Sequence, residues 1–134
     1  MGKKIIKENI SKRFKFEEIG TINYNEQKPK ISFEFLSGKY CISECEMREK
    51  AEAVMIFHKI SQKTWADLQQ LGRKQGGHEN IVTSSLKCRV PERFKTFTNA
   101  LSFHNPGKLV IVGFREKDIF YVIAVDPKLK SYDH

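Results

Sequence analysis

The stretch that most constrains this chain lies near its C-terminal end. Residues 109–114 and 119–125 are runs of β-branched and aromatic side chains, and only Arg115-Glu116-Lys117-Asp118 separates them. Such runs favour the pleated, side-by-side packing of strands. So short a charged connection leaves room for an antiparallel hairpin and not for a parallel crossover. Pro127 lacks an amide hydrogen for the ladder and ends the second strand.

Upstream of that hairpin the β signals are weaker. Ile31, Phe33 and Phe35 alternate with Ser32 and Glu34, Ser37-Gly38 supplies a tight turn, and Tyr40 and Ile42 resume the alternation. This period of two predicts an N-terminal β-hairpin with one buried face. Ser43-Glu44-Cys45-Glu46 has the S-x-x-E form of a capping box, which predicts a helix running to about Ser61. Its apolar face is expected to carry Met47, Ala51, Val54, Met55 and His58, broadened by Ile56, Phe57 and Ile60. Thr64-Trp65-Ala66-Asp67 repeats a capping pattern for a short second helix, with Trp65, Leu68 and Leu71 on one face and Gly72 as its stop. Residues 73–80 (RKQGGHEN) form a basic, Gly-rich loop, Ile81 and Val82 begin a strand, and Pro91 interrupts the next stretch. Residues 94–104 predict a further strand, before a turn at Asn105-Pro106-Gly107. Strands and helices segregated in this way argue for an α+β fold: an N-terminal β-hairpin, then a helical pair packed on a twisted antiparallel sheet. The chain is of single-domain size, and the domain is expected over 19–134, behind a basic N-terminal arm at 1–18.

Charge narrows the partners. Lys and Arg number 24 against 16 Asp and Glu, a formal net charge of +8. A field of that sign draws polyanions, RNA or the ribosome first and an acidic protein such as an antitoxin second. The three cysteines contain no C-x-x-C pair and read as reduced thiols of a cytoplasmic protein, with no metal or other cofactor expected. No apolar run approaches the ~20 residues of a membrane-spanning helix.

The groups able to move protons are few. His58 falls on the predicted apolar face and reads as a core or boundary histidine. His104 ends a predicted strand, and antiparallel geometry returns residue 126 to that same end of the sheet. The tail beyond it closes on Tyr132-Asp133-His134 and, if extended, would span ~25 Å. His104, Tyr132, Asp133 and His134 are therefore the candidate catalytic set. Arg73, Lys74, His78, Lys87, Arg89, Arg93 and Lys95 are the candidate nucleic-acid-binding residues, while Arg115 belongs to the opposite end of the hairpin. Such a set suffices for metal-independent RNA cleavage: a base takes the 2′-hydroxyl proton, cations stabilise the phosphorus oxygens, and an acid protonates the leaving 5′-oxygen. The alternative is a non-catalytic basic binding module, a phage or mobile-element inhibitor or regulator, in which basic residues of the 1–15 arm, the 73–74 loop and the 87–95 stretch engage nucleic acid or an acidic protein surface. The bland alternative for the last three residues is a solvated tail.

The plan of a helical pair followed by an antiparallel sheet in a small basic protein, closing on Tyr132-Asp133-His134, resembles the RelE/ParE-type toxin superfamily over residues 43–134. That resemblance implies a ribonuclease toxin of a toxin-antitoxin or phage-defence system, acting through His, Asp, Tyr, Arg and Lys side chains. The chain departs from the family where Lys108-Leu109-Val110 replaces an aromatic-Arg pair, and in its additional N-terminal 40 residues. Its ending also resembles those of small proteins of bacterial phages and plasmids, which implies a mobile-element role.

Overall fold

A computed structural model describes residues 22–72, 76–104 and 109–133. The arm expected over 1–18 and the turn expected at 105–107 lie outside the described residues. At the centre, the two apolar runs form the expected hairpin. Strand β4 (Val110–Glu116) pairs antiparallel with β5 (Ile119–Asp126), and Lys117 takes a φ of 60° at the turn. Strands β3 (Asn99–His104) and β2 (Glu79–Val82) extend the meander, and β1 (Lys30–Ser32) lies parallel to β5 at the other edge. The order across the sheet is β1-β5-β4-β3-β2. With two helices packed on it, this is a single α+β domain.

The N-terminal hairpin does not form. Only Lys30–Ser32 are a strand, held to Ile119, Phe120 and Tyr121 of β5. The residues expected to return as its second strand wind instead into two 3-10 turns, Gly38–Tyr40 and Ile42–Glu44. Alternation was legible, but a better partner was available in β5, whose edge would otherwise stand unpaired. Gly38 starts the first turn at a φ of 78°, a conformation that costs glycine nothing.

Helix α1 (Met47–Ser61) begins three residues later than the S-x-x-E pattern suggests. The Glu46 N–H donates to Glu49 Oε1 at 2.8 Å, so the cap is Glu46. Its buried stripe is Ala53, Ile56, Phe57 and Ile60. The helix is therefore rotated from the expected face: Met47, Val54 and Met55 are 78%, 56% and 52% exposed, and His58 is exposed rather than a core histidine. Two apolar stripes compete in this sequence. The one carrying small Ala53 and the Phe57 ring, which meets Phe33 edge-on at 5.3 Å, faces the sheet. Helix α2 (Trp65–Gln70) starts as expected, with Thr64 Oγ1 accepting from the Asp67 N–H at 3.1 Å. Neither helix is long and apolar enough to cross a membrane, and no other among the described residues is.

β4 and β5 are almost wholly buried on both faces. One face, with Leu101, Phe103, Ile111, Phe120, Val122 and Val125, packs on α1 and α2. Trp65 is fully buried there, donates its indole N–H to the Asp118 carbonyl at 3.1 Å, and has the Arg115 guanidinium 4.3 Å above its ring. Lys30 pairs with Asp118 at 2.7 Å, and that bond holds the carboxyl below its usual range. Among the described residues, the other face has no helix. It is covered by irregular segments that bring Phe35, Tyr40, Leu86, Cys88, Val90, Phe94, Phe97 and Tyr132 onto Val110, Val112, Phe114 and Tyr121. The strand expected over 94–104 accordingly begins only at Asn99, because Glu92–Phe94 turn so that Phe94 can stack on Phe114 at 4.8 Å.

The β4–β5 register shifts between Val112 and Gly113. A Cβ on Gly113 would overlap the Tyr121 carbonyl oxygen and lie 2.8 Å from the Phe120 ring. Gly113→Ala is expected to lower the unfolding free energy by about 1–3 kcal/mol, the usual cost of overpacking a core. A denaturant titration with unchanged midpoint would show that the bulge relaxes freely.

Candidate nucleic-acid interface

The geometry of the C-terminal tail starts with one carboxylate. Asp126 closes β5 and is 1% exposed. Its Oδ1 accepts from the Lys128 N–H at 3.1 Å. Its Oδ2 accepts from the Lys130 N–H at 2.6 Å, the Ser131 N–H at 2.7 Å and the Ser131 hydroxyl at 2.7 Å. Burying a carboxylate is costly unless donors replace water, and four donors here do so. They wind residues 127–131 into a compact loop, with Leu129 at a φ of 58°. The tail is thus wound back on itself and does not use its full extended reach.

That loop sends Tyr132 back across the face of the sheet opposite the two helices. The ring is 4% exposed and the hydroxyl lies 2.8 Å from Ser102 Oγ on β3. The next residue pairs outward: Lys87 Nζ holds the Asp133 carboxylate, and the Lys87 backbone N–H donates to the Ser131 carbonyl at 2.6 Å. His104, Val110 and Asp126 occupy one register row across β3, β4 and β5. The structure therefore brings His104, Tyr132, Asp133 and Lys87 to one face of the sheet, with Tyr132 anchored in the core rather than presented to solvent. Arg73, Lys74 and His134 lie outside the described residues.

The remaining expected cations separate into two groups. Arg93 pairs with Glu116 at 2.6 Å and lies 5.1 Å over the Tyr121 ring, and Lys95 pairs with Glu92 at 3.3 Å. Both are tied to the surface around Phe94. Lys87 and Arg89 instead line a cavity of about 210 Å³ with Phe35, Ser37, Gly38, Lys39, Tyr40, Cys88 and Ile123. A second cavity of about 170 Å³ is walled by Tyr40, Cys45, Val125 and Pro127, with Lys39, Lys128, Lys130, Glu44 and Asp126. Lys39 and Tyr40 belong to both, so the two cavities adjoin across the Tyr40 side chain.

These cavities result from the short first strand. β1 covers β5 only from Ile119 to Tyr121. Past that point the 3-10 turns of residues 38–44 take its place along the β5 edge, and a strap of turns packs less closely than a strand. The strap is fastened at its centre, where the Tyr40 hydroxyl donates to the Lys130 carbonyl at 3.1 Å. Burial, and then the nearby Asp126, push the Tyr40 phenol up. Burial also pushes the Cys88 thiol up to about 11, so it stays protonated. The Cys41 thiol is lowered, chiefly by a hydrogen bond from Ser43.

Five cations thus rim the paired cavities: Lys39, Lys87, Arg89, Lys128 and Lys130. Lys39, Tyr40, Glu44, Lys128 and Lys130 are absent from the sequence-derived candidates. Their signal was present, as basic residues beside aromatics in SGKYC and PKLKSYD. It stayed hidden because Tyr40 was assigned to a strand face and no local pattern places the tail beside it.

His78 stands apart from this rim. It meets Phe103 edge-on at 5.6 Å, and its Nδ1 is buried with no hydrogen-bond partner among the described residues. Burial, with the Arg115 charge second, lowers its pKa, and Asn80 partly offsets this.

Two outcomes are expected. In Asp126→Ala the amides of Lys130 and Ser131 should exchange hydrogen markedly faster and the tail should become sensitive to protease, while β3 and β4 amides stay protected. His78 is favoured neutral in the fold, so the unfolded chain takes up its proton first. Its contribution is full above about pH 6.5 and is lost as pH falls through that value to the lower folded one. His78→Gln should shrink the difference in denaturation midpoint between neutral and mildly acid buffer. An undiminished difference would assign the acid sensitivity elsewhere. Comparison with protein-family models, curated proteins and solved structures finds no match, so the chemistry of these side chains carries the functional reading.

Proposed function

We propose that this protein binds RNA through the rim of the paired cavities around Tyr40. The observation that carries the proposal is the convergence of Lys39, Lys87, Arg89, Lys128 and Lys130 on two adjoining clefts. The Asp126 carboxylate of the same wall is taken up by donors of its own loop. Scattered surface lysines would give a diffuse field, whereas cations lining concave walls focus it on a backbone that tracks the cleft. Lys87, one of these cations, also holds the Asp133 carboxylate. The net charge of +8 supplies long-range attraction.

A second reading is that the bound RNA is cleaved, as the resemblance to RelE/ParE-type toxins implies. Its support is the placement of His104 in the Asp126 row and of the Lys87–Asp133 pair on the same sheet face. A helix pair followed by an antiparallel meander is also the plan on which the resemblance stands. In that reaction His104 or Asp133 would take the 2′-hydroxyl proton as the 2′-oxygen attacks phosphorus. The bond to the 5′-oxygen then breaks, and a second of these groups or His134 returns a proton to the leaving oxygen. An acidic antitoxin would be the natural protein occupant of the same rim.

Binding of single-stranded RNA should weaken steeply with salt. About four engaged phosphates give a log–log slope of about −3, at roughly 0.7 counterion per phosphate. Lys39→Glu with Lys128→Glu should flatten that slope, whereas Lys95→Glu should leave it nearly unchanged. Salt-insensitive binding, or binding only to an acidic protein, would remove the proposal. For the second reading, expression of the chain should arrest growth, and His104→Ala should relieve the arrest while preserving the thermal transition. A folded, harmless protein that leaves RNA intact would leave binding alone.

A further inference from the structure

The smaller cavity contains a feature that a phosphate site does not need. We infer that it takes one unpaired guanine base of a single-stranded RNA, an inference that rests on the RNA-binding reading above. At about 170 Å³ it is smaller than the pockets that hold drug-sized ligands, and of a size for one ring system. Its apolar walls are Tyr40, Val125, Pro127 and Cys45, suited to the faces and edges of a flat heterocycle. A base stacked and paired in a duplex cannot enter such a cleft, whereas one splayed from a single strand can.

The polar wall selects among bases. Asp126 is occupied by its loop, with hydrogen bonds from Lys128, Lys130 and Ser131. Glu44 is the other acid of the wall, placed at the end of the Ile42–Glu44 turn by its N–H bond to the Cys41 carbonyl at 2.9 Å. Beside Lys39, Lys128 and Lys130, a carboxylate weakens attraction for phosphate, so it is poorly placed in a site for phosphate alone. An ionised carboxylate only accepts hydrogen bonds. Guanine is the one common base whose pairing edge offers two adjacent donors, N1–H and the N2 amino group. Adenine and cytosine set an acceptor beside their amino donor, and uracil flanks its N3–H with two carbonyls, so each would turn an acceptor toward Glu44. The adjoining cavity shares Lys39 and Tyr40 and adds Lys87 and Arg89, which places cations for the phosphate next to the seated base.

The test uses the full chain and fluorescence anisotropy with the labelled pentaribonucleotides UUGUU, UUAUU, UUCUU, UUUUU and an inosine version of the first. UUGUU is expected to bind about 10-fold tighter than the others, the scale of one bidentate base contact. Inosine, which lacks the amino group, should lose most of that margin. E44Q should bring UUGUU down to the level of UUUUU, and Glu44→Ala serves as a second variant should E44Q alter the circular dichroism spectrum. Equal affinity for all five, a guanine preference that survives both variants, inosine binding as tightly as guanosine, or a duplex competing as well as the single strand would each overturn the guanine site. In all those cases salt-dependent binding of UUUUU would leave the RNA-binding reading standing. Failure of every oligonucleotide to bind would overturn both.

Discussion

Burial of the β4–β5 hairpin on both faces is the constraint on which the rest of the molecule depends. A sheet with two apolar faces must be covered twice, and a chain of 134 residues carries only one helical pair among those described. The helices take one face, fastened by Trp65 to the hairpin turn. The other face is closed by loops and 3-10 turns, which succeed because they are rich in aromatic rings. Phe35, Phe94, Phe97, Phe114 and Tyr121 interlock at centroid distances of 4.8–5.7 Å. Large rigid rings bury much area per residue ordered, which lets irregular chain do the covering that a helix does elsewhere.

Covering by irregular chain has a consequence for function. A strand seals a neighbouring edge with a ladder of hydrogen bonds, whereas turns bridge it at intervals. The β5 edge is sealed by β1 up to Tyr121 and bridged by the Tyr40 strap beyond it, and the clefts open where the bridging begins. The same segment supplies Lys39 and Glu44, and the loop organised by Asp126 supplies Lys128 and Lys130 from the opposite side. Backbone irregularity, concavity and charge thus coincide, which is where binding sites concentrate on a rigid scaffold.

Electrostatics divides the basic residues by role. Arg93 and Lys30 act within the fold, one against Glu116 and an aromatic cluster, the other against Asp118 at the hairpin turn. Lys87 has a foot in both roles, since its backbone fixes the tail and its ammonium holds Asp133 at the rim of a cleft. Tyr132 moved furthest from its expected role. Its hydroxyl satisfies the buried Ser102 hydroxyl, so it joins tail to sheet.

What the sequence determined by itself was local. The β4–β5 hairpin, the Thr64 cap, the extent of α1 to Ser61 and the segregation of helices from strands all rest on patterns a few residues long, and such patterns act through neighbours in the chain. The return of residue 126 to the row of His104 was also legible, because antiparallel pairing carries it automatically. The tertiary structure alone decided the rest. It chose between the two apolar stripes of α1, gave Ile31 a partner in β5 instead of a hairpin mate, and folded the tail around Asp126. It also brought Lys39, Lys87 and Lys128 together from segments far apart in the chain. Each of those outcomes depends on which distant surface was left to cover, and the spacing of residues along a chain does not record that.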